Sequence, residues 1–265
     1  MGSKIHGKNG FPFRLGCTSY VYPEDLLPNV RMMAPIVDDI EIVLFETESL
    51  SNLPSSAVIS ELREIQEKYG NSYTIHFPID KKAASPYKQE RRYFQEQAVK
   101  IIRLTLSLHP FAYILHLEGI NEKANPSLQE AWRSRSMETC KAILDSSEVK
   151  SSTIAVENLG YPAEWNEEIV SYFGFSFCMD VGHLWLYHYD WETTLQKYLQ
   201  NTKVIHLHGV SHGKDHLSIE KNDLPPLKRL ATEYLSTFNN VVTLEVFSEE
   251  ATFGSIRRLK TLWEG

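Results

Sequence analysis

The chain is poor in several things, and each shortage excludes something. It has only three cysteines, Cys17, Cys140 and Cys178, in 265 residues. Their odd number and wide spacing fit neither a zinc finger nor a disulfide framework. A reducing cytoplasm is therefore the expected location. No run approaches the ~18 apolar residues of a membrane-spanning helix, so no membrane partner is expected. The opening MGSKIHGKNG has none of the apolar core of a secretory signal. Residues 1–10 are expected to form a disordered tail, and residues 11–265 a single domain. Positive charge is also in deficit, with 27 Lys and Arg against 34 Asp and Glu and a net charge of −7. Nucleic-acid binders normally present a basic patch, so nucleic acid is not expected as a partner. Nor is there a glycine-rich turn after the first strand-like segment. GCTSYVYP is unlike the phosphate-binding turn of a doubly wound sheet.

What the chain has is alternation. Eight segments read as strands: 14–20, 38–46, 72–78, 112–119, 152–159, 174–183, 203–210 and 241–247. They are rich in Val, Ile, Phe and Tyr and bounded by turn residues. Helix-like stretches separate them. In 86–108, Phe94, Ala98, Ile101, Ile102 and Thr105 recur at the helical period, with Ser85 and Pro86 as cap and first turn. The last helix follows Ser248, with Glu249 and Glu250 at its start and Arg257, Arg258 and Lys260 toward its end. Lys81, Lys82, Arg91 and Arg92 read as solvated surface. Eight β-α alternations in a chain near the ~250 residues typical of the fold predict a (β/α)8 TIM barrel. An open doubly wound sheet is the alternative.

Six strand segments end in residues that bind metals: His76, His116, Glu157, Asp180 with His183, His206, and Glu245. In a closed parallel barrel all these ends face one mouth. Imidazoles and carboxylates would be costly to bury unpaired, and a zinc-type cation satisfies them together. Alternation along a strand puts His206 with His208, Cys178 with Asp180, and Ile114 with His116 and Glu118 on inward faces. Two aromatic stretches, Trp185 to Trp191 and Tyr161 with Trp165, follow strands 6 and 5. They either offer flat surfaces to a substrate at the mouth or pack on the barrel. Asn158, next to Glu157, serves either a ligand or the strand-end turn. Lys214 is placed to meet a phosphate.

At these residues the chain resembles the xylose-isomerase-like barrels, the superfamily of endonuclease IV and of many sugar-phosphate isomerases and epimerases. In the endonuclease IV branch the mouth holds three zinc ions, and the resemblance implies two or three here, with manganese as an alternative. By that resemblance His76 and His116 hold a first zinc and Glu157 bridges to a second held by Asp180, His206 and Glu245. His183 belongs to a third, which also takes an aspartate and a histidine from a D-x-H segment. Here the segment reads KDHLSI, so Asp215 and His216 are adjacent, and His212 or His208 are the candidates to replace either member.

A narrower resemblance lies in FPFRLGCTSYVYPEDLLPNV and VDDIEIVLFE, which are similar to stretches of the cobamide-remodelling phosphodiesterases. That family hydrolyses the nucleotide loop of B12-type corrinoids. It implies a metal-dependent phosphodiesterase acting on a small molecule, with Glu157 and Glu245 as candidate catalytic residues. Glu46, Tyr20, Trp165, Trp185, His208 and Lys214 are the candidate substrate contacts. An isomerase or epimerase of a sugar or inositol derivative is the alternative, needing one metal and a carboxylate pair to move protons. An endonuclease on abasic DNA comes third. His76 and His116 favour the multinuclear hydrolase, because they add nitrogen ligands to Glu157, Asp180, His206 and Glu245.

Overall fold

A computed structural model describes residues 7–47 and 51–264. The first six residues of the expected tail lie outside this range. The end of that tail is tied down: Lys8 Nζ donates to the carbonyls of Ala34 (2.6 Å) and Val37 (2.7 Å), and Asn9 to that of Ile36 (2.8 Å).

Eight strands form the barrel: β1 (Arg14–Thr18), β2 (Asp39–Val43), β3 (Ser72–His76), β4 (Ala112–Leu115), β5 (Ile154–Glu157), β6 (Ser176–Asp180), β7 (Thr202–Leu207) and β10 (Val241–Leu244). Each pairs in parallel with its neighbours, and β1 closes the circle by pairing with both β2 and β10. Closure rules out the open doubly wound sheet. A short antiparallel hairpin, β8 (Gly209–Ser211) and β9 (Lys214–Leu217), follows β7. The α-helices are α1 (Leu26–Met33), α2 (Ser56–Tyr69), α3 (Lys88–Thr105), α4 (Pro126–Ser146), α5 (Glu167–Phe173), α6 (Val181–Leu186), α7 (Trp191–Tyr198), α8 (Leu224–Arg229) and α9 (Glu249–Glu264). No helix among the described residues is long and apolar enough to cross a membrane.

The strands stop earlier than the apolar runs do, because their last residues bond elsewhere. After β4, the Leu117 carbonyl accepts from Trp132 Nε1 (2.8 Å) and the Glu118 carbonyl from the Ala84 amide (3.0 Å). After β6, Asp180 caps α6 by accepting the His183 amide (2.7 Å), which turns the chain at once into helix. The helix expected over 86–108 is α3 plus a 3-10 turn over Leu106–Leu108, and its five periodic residues are all buried. It begins at Lys88 rather than at Pro86. Ser85 Oγ accepts from the Tyr87 amide (3.1 Å) and donates to Glu90, so it braces the turn ahead of the helix. Arg91 corrects the expectation of a solvated basic pair. It is 7% exposed, and its guanidinium donates to Glu138 (2.7 Å) and to the Ser85 carbonyl (3.0 Å).

Two apolar layers result. The larger lies between barrel and helices and contains Ile40, Ile42, Ile75, Ile205 and Leu244. A smaller one of Ala112, Ile114, Ala155, Cys178, Val204 and Val241 comes from the alternate strand positions, which face the barrel interior. Polar residues share that alternation, among them Asp39, Glu41, Thr74 and Thr243, all fully buried.

Asp39 has a consequence for stability. It accepts from Ser72 Oγ, its Oδ1 has no partner, and burial pushes its carboxyl up to about 6. Between the unfolded value near 3.9 and that raised value the folded chain holds a proton the unfolded chain has released. Stability therefore falls as pH rises through this window. A rise of that size is worth about 3 kcal/mol at most. Asp39→Asn is expected to raise the unfolding free energy at pH 7.5 by roughly 1–3 kcal/mol and to gain nothing at pH 4. Urea unfolding at both pH values measures this, and equal effects at the two would refute it.

Candidate metal centre

The strand ends deliver the ligands directly. His76, Glu157 and Asp180 are the last residues of β3, β5 and β6, and His206 is the last but one of β7. His116 and Glu245 stand one step beyond β4 and β10, and His183 lies in the first turn of α6. Glu157 is fully buried at the middle of the set. Its Oε2 lies 2.9 Å from His116 Nε2, 3.3 Å from His206 Nδ1 and 3.7 Å from His76 Nε2. Its Oε1 lies 3.4 Å from His183 Nδ1. His206 Nδ1 is also 3.1 Å from Glu245 Oε2.

The donor atoms fall into overlapping groups whose members lie within 4.8 Å of one another. One is His76, His116 and Glu157. A second is Glu157, Asp180, His206 and Glu245. A third is His183, His208 and His216. Around one tetrahedral zinc, ligand atoms at about 2.0–2.2 Å from the ion are roughly 3.3–3.6 Å apart, close to the spacings seen. Five buried atoms here have no hydrogen-bond partner: Glu157 Oε1, Asp180 Oδ2, His206 Nδ1, His208 Nε2 and Glu245 Oε2. Buried polar atoms are rarely left so, and divalent cations in these groups account for all five. The residues present fit such an ion.

Charge in the metal-free chain is balanced by protons. Burial alone would lower the His116 and His183 pKa values. Glu157 and Glu118 around the first, and Asp180 and Glu157 around the second, outweigh it and hold both at about 10. Burial would likewise raise the Glu157 carboxyl, but the His116 and His206 rings hold it well below the usual carboxylate range.

Above the ligands opens a cavity of about 890 Å³. His76, His116, Glu157, His183, His216 and Glu245 form its floor. Its walls are largely apolar, with Phe45, Phe77, Ile79, Leu159, Tyr187 and Phe247 among them. Ile79, Tyr187 and Phe247 are about half exposed, at 58%, 47% and 46%.

Residues 37–262 match the family described as the xylose isomerase-like TIM barrel. The chain belongs to that family. With the convergent ligands at its mouth, it is a metal-binding enzyme of the xylose isomerase-like superfamily. Solved structures agree on the fold. A D-tagatose 3-epimerase-like protein superimposes with a TM-score of 0.76 at 22% identity, covering 95% of this chain and 97% of its own. Endonuclease IV from Thermus thermophilus gives 0.71 at 16%, covering 95% and 99%. The 3-keto-D-glucoside 4-epimerase of E. coli gives 0.67 at 12%, covering 96% and 100%. No curated protein gives a significant match.

Within this family barrel the expected ligands His76, His116, Glu157, Asp180, His183, His206, His216 and Glu245 all reach the groups described above. Asp215 does not. Its Oδ2 lies 3.9 Å from the ring of its own neighbour His216, and it joins none of the groups. His208 takes part instead, because the hairpin folds His216 back over it, with ring centroids 4.4 Å apart. His216 adopts a left-handed backbone (φ 49) to do so, an uncommon conformation for a side-chain-bearing residue. A Cβ on Gly182 would lie 2.1–2.4 Å from the His208 ring, so that position must be glycine for the imidazole to fit. His212 stays exposed in the hairpin turn.

The expected substrate contacts divide. Tyr20 lines the cavity, its hydroxyl accepting from Asn52 (2.9 Å). Glu46 turns away to Lys100 (2.9 Å). Trp165 stacks on Tyr161 at 5.8 Å, and Trp185 packs edge-on against Trp191 at 6.4 Å, so both belong to the helical layer rather than the cavity wall. Lys214 is exposed on β9. Asn158 serves the turn, clamping the Asp180 backbone with two hydrogen bonds of 2.9 and 2.7 Å. Phe45, Ile79 and Phe247 line the cavity without being expected there, although Phe247 stands two residues beyond Glu245. Glu41 is equally unexpected, a fully buried carboxylate 2.8 Å from His206 Nε2. The signal for Glu41 was a carboxylate at an inward position of an apolar strand, DIEIV.

Metal must displace protons from these rings, because only neutral imidazole ligates. Since His116 and His183 are held at about 10, loading at pH 7 is expected to release at least one proton per chain. Affinity should rise as pH rises from 6 to 9. Calorimetry in buffers of different ionisation enthalpy measures the release, and loading without any would contradict the protonated resting state.

Proposed function

We propose that this chain is a metal-dependent phosphodiester hydrolase. One observation carries the reading: Glu157 is ringed by four imidazoles, three on Oε2 and one on Oε1. A carboxylate approached from both oxygens is suited to bridge two ions. Metals held in this way lower the pKa of a water, neutralise non-bridging oxygens and stabilise the leaving oxygen of a phosphodiester.

The chain's own groups do the rest. His76 and His116 with Glu157, and Asp180, His206 and Glu245 with Glu157, are the holding residues. Glu245 borders the cavity, and the carboxylate oxygen that does not hold the ion would accept a proton as water attacks. The apolar walls keep bulk water from the reacting atoms. Lys82 is the single Lys or Arg among the described lining residues. A free phosphate dianion would want more cations than that, whereas a diester carrying large apolar groups would not. The finer reading is therefore the nucleotide-loop phosphodiester of a cobamide. It is supported by the resemblance of the first two strand segments and by the apolar rim of Ile79, Tyr187 and Phe247. The corrin would lie across the mouth, with its phosphodiester reaching down to Glu157.

The second reading is a sugar or inositol-derivative epimerase or isomerase. It uses only Glu157, Asp180, His206 and Glu245 around one ion. The similar solved structures favour it, since epimerases and isomerases outnumber nucleases among those compared. At 22% identity and below, that likeness speaks for the fold. His116 and the three-imidazole group are not ligands in a single-metal site of this kind, though His116, His183 and His216 line the cavity.

Elemental analysis and turnover separate the two. The hydrolase reading expects at least two zinc-class ions per chain. Metal-loaded protein should release a lower-ligand riboside from a complete cobamide under reducing conditions. His116→Ala should lose one ion and cut that rate by at least a hundredfold, about the loss expected from removing a metal ligand. One tightly held ion, an untouched cobamide and interconversion of a ketose or inosose would establish the epimerase instead. Cleavage of abasic duplex would point to the nuclease.

A further inference from the structure

Glu41 lies at the centre of β2, which pairs with β3 on one side and is separated from β10 by β1 on the other, and it is fully buried. Its Oε2 is 2.8 Å from His206 Nε2, and the His206 ring is also fully buried. The other ring nitrogen, Nδ1, has no hydrogen-bond partner. It points between Glu157 Oε2 (3.3 Å) and Glu245 Oε2 (3.1 Å). A neutral imidazole carries one N–H and one lone pair, and the partner of one nitrogen decides which is which. With Glu41 as acceptor the hydrogen on Nε2 is the one retained, so Nδ1 is the nitrogen whose lone pair a metal would take on displacing a proton.

We infer that Glu41 is a positioning residue, fixing the His206 ring and its tautomer so that Nδ1 faces the metal held with Glu157, Asp180 and Glu245. Ligating histidines commonly need such a partner on the far nitrogen, and losing it costs 10–100-fold in metal affinity. The geometry is set by the barrel itself. Glu41 reaches His206 across the interior, between strands that are not neighbours in the sheet order. The packed wall at Ile40 and Ile42 holds the carboxylate's direction. Glu41 also lies within 4.8 Å of donor atoms on His76 and Glu245, so direct ligation by Glu41 is the competing role that the test must separate. The inference rests on metal binding at this centre and holds for either chemistry proposed above.

The test compares the full-length chain with Glu41→Gln and Glu41→Leu. Zinc or manganese affinity is read by chelator competition, folding by circular dichroism, and the His206 tautomer by long-range 15N–1H spectra with and without zinc. A Gln carbonyl still accepts the Nε2 hydrogen, so Glu41→Gln should stay within about tenfold of the native affinity. Glu41→Leu should lose the full 10–100-fold. The zinc-loaded native chain should show hydrogen on Nε2 and metal on Nδ1. Equal losses in the Gln and Leu variants would assign Glu41 as a ligand and overturn the inference. Unchanged affinity in the Leu variant, or metal on Nε2 in the native spectrum, would overturn it as well. If Glu41→Leu does not fold, the native spectrum and the Gln variant still decide. None of these readouts uses turnover, so failure of the hydrolase reading leaves them intact.

Discussion

Glu157 is an ionised carboxylate with no exposed surface, and that is the constraint the mouth of this barrel answers. Such a group is tolerated inside a protein only when opposite charge meets it closely. Here the charge arrives on three imidazoles, from β7, the end of β4 and the start of α6, and the His76 ring of β3 lies beside them. The metal-free site is a salt-bridged cluster, and the loaded site exchanges protons for cations around the same carboxylate. Removing Glu157 would take away the carboxylate that helps hold the His116 and His183 rings protonated. The barrel brings the ligands together, and Glu157 makes it possible for them to stay.

Much of this was legible in the sequence because two periods carry it. Alternation of two placed Asp180 above Cys178 and His116 above Ile114, and the helical period marked the buried face of α3. The ligands were legible because they sit where strands end, and in a parallel barrel all such ends share one face. Side chains on loops have no such rule. Trp165 and Trp185 point into the helical layer because Tyr161 and Trp191 await them there, and no spacing in the chain shows that. Arg91 looked solvated because its partner, Glu138, comes from α4, 47 residues on.

The third group of imidazoles shows the same limit. KDHLSI reads as a ligand segment, and only its histidine joins the group. The hairpin decides this by turning His216 inward over His208 while Asp215 stays at the rim. Glu41 was hidden for a different reason. Its partner His206 lies 165 residues away, and one carboxylate in an apolar strand looks like any edge residue until closure brings the two together.

Asp180 does two jobs with its two oxygens. Oδ1 accepts the His183 amide and starts α6, and Oδ2 is left for the metal. His183, whose amide it holds, contributes its own ring to the centre three residues later. Ligand and helix are thus mechanically one piece, with Asn158 pinning the hinge between them from the next strand. The aromatic residues from Trp185 to Trp191 begin at the far end of that helix, so six residues of chain join the floor of the mouth to the outer helical layer.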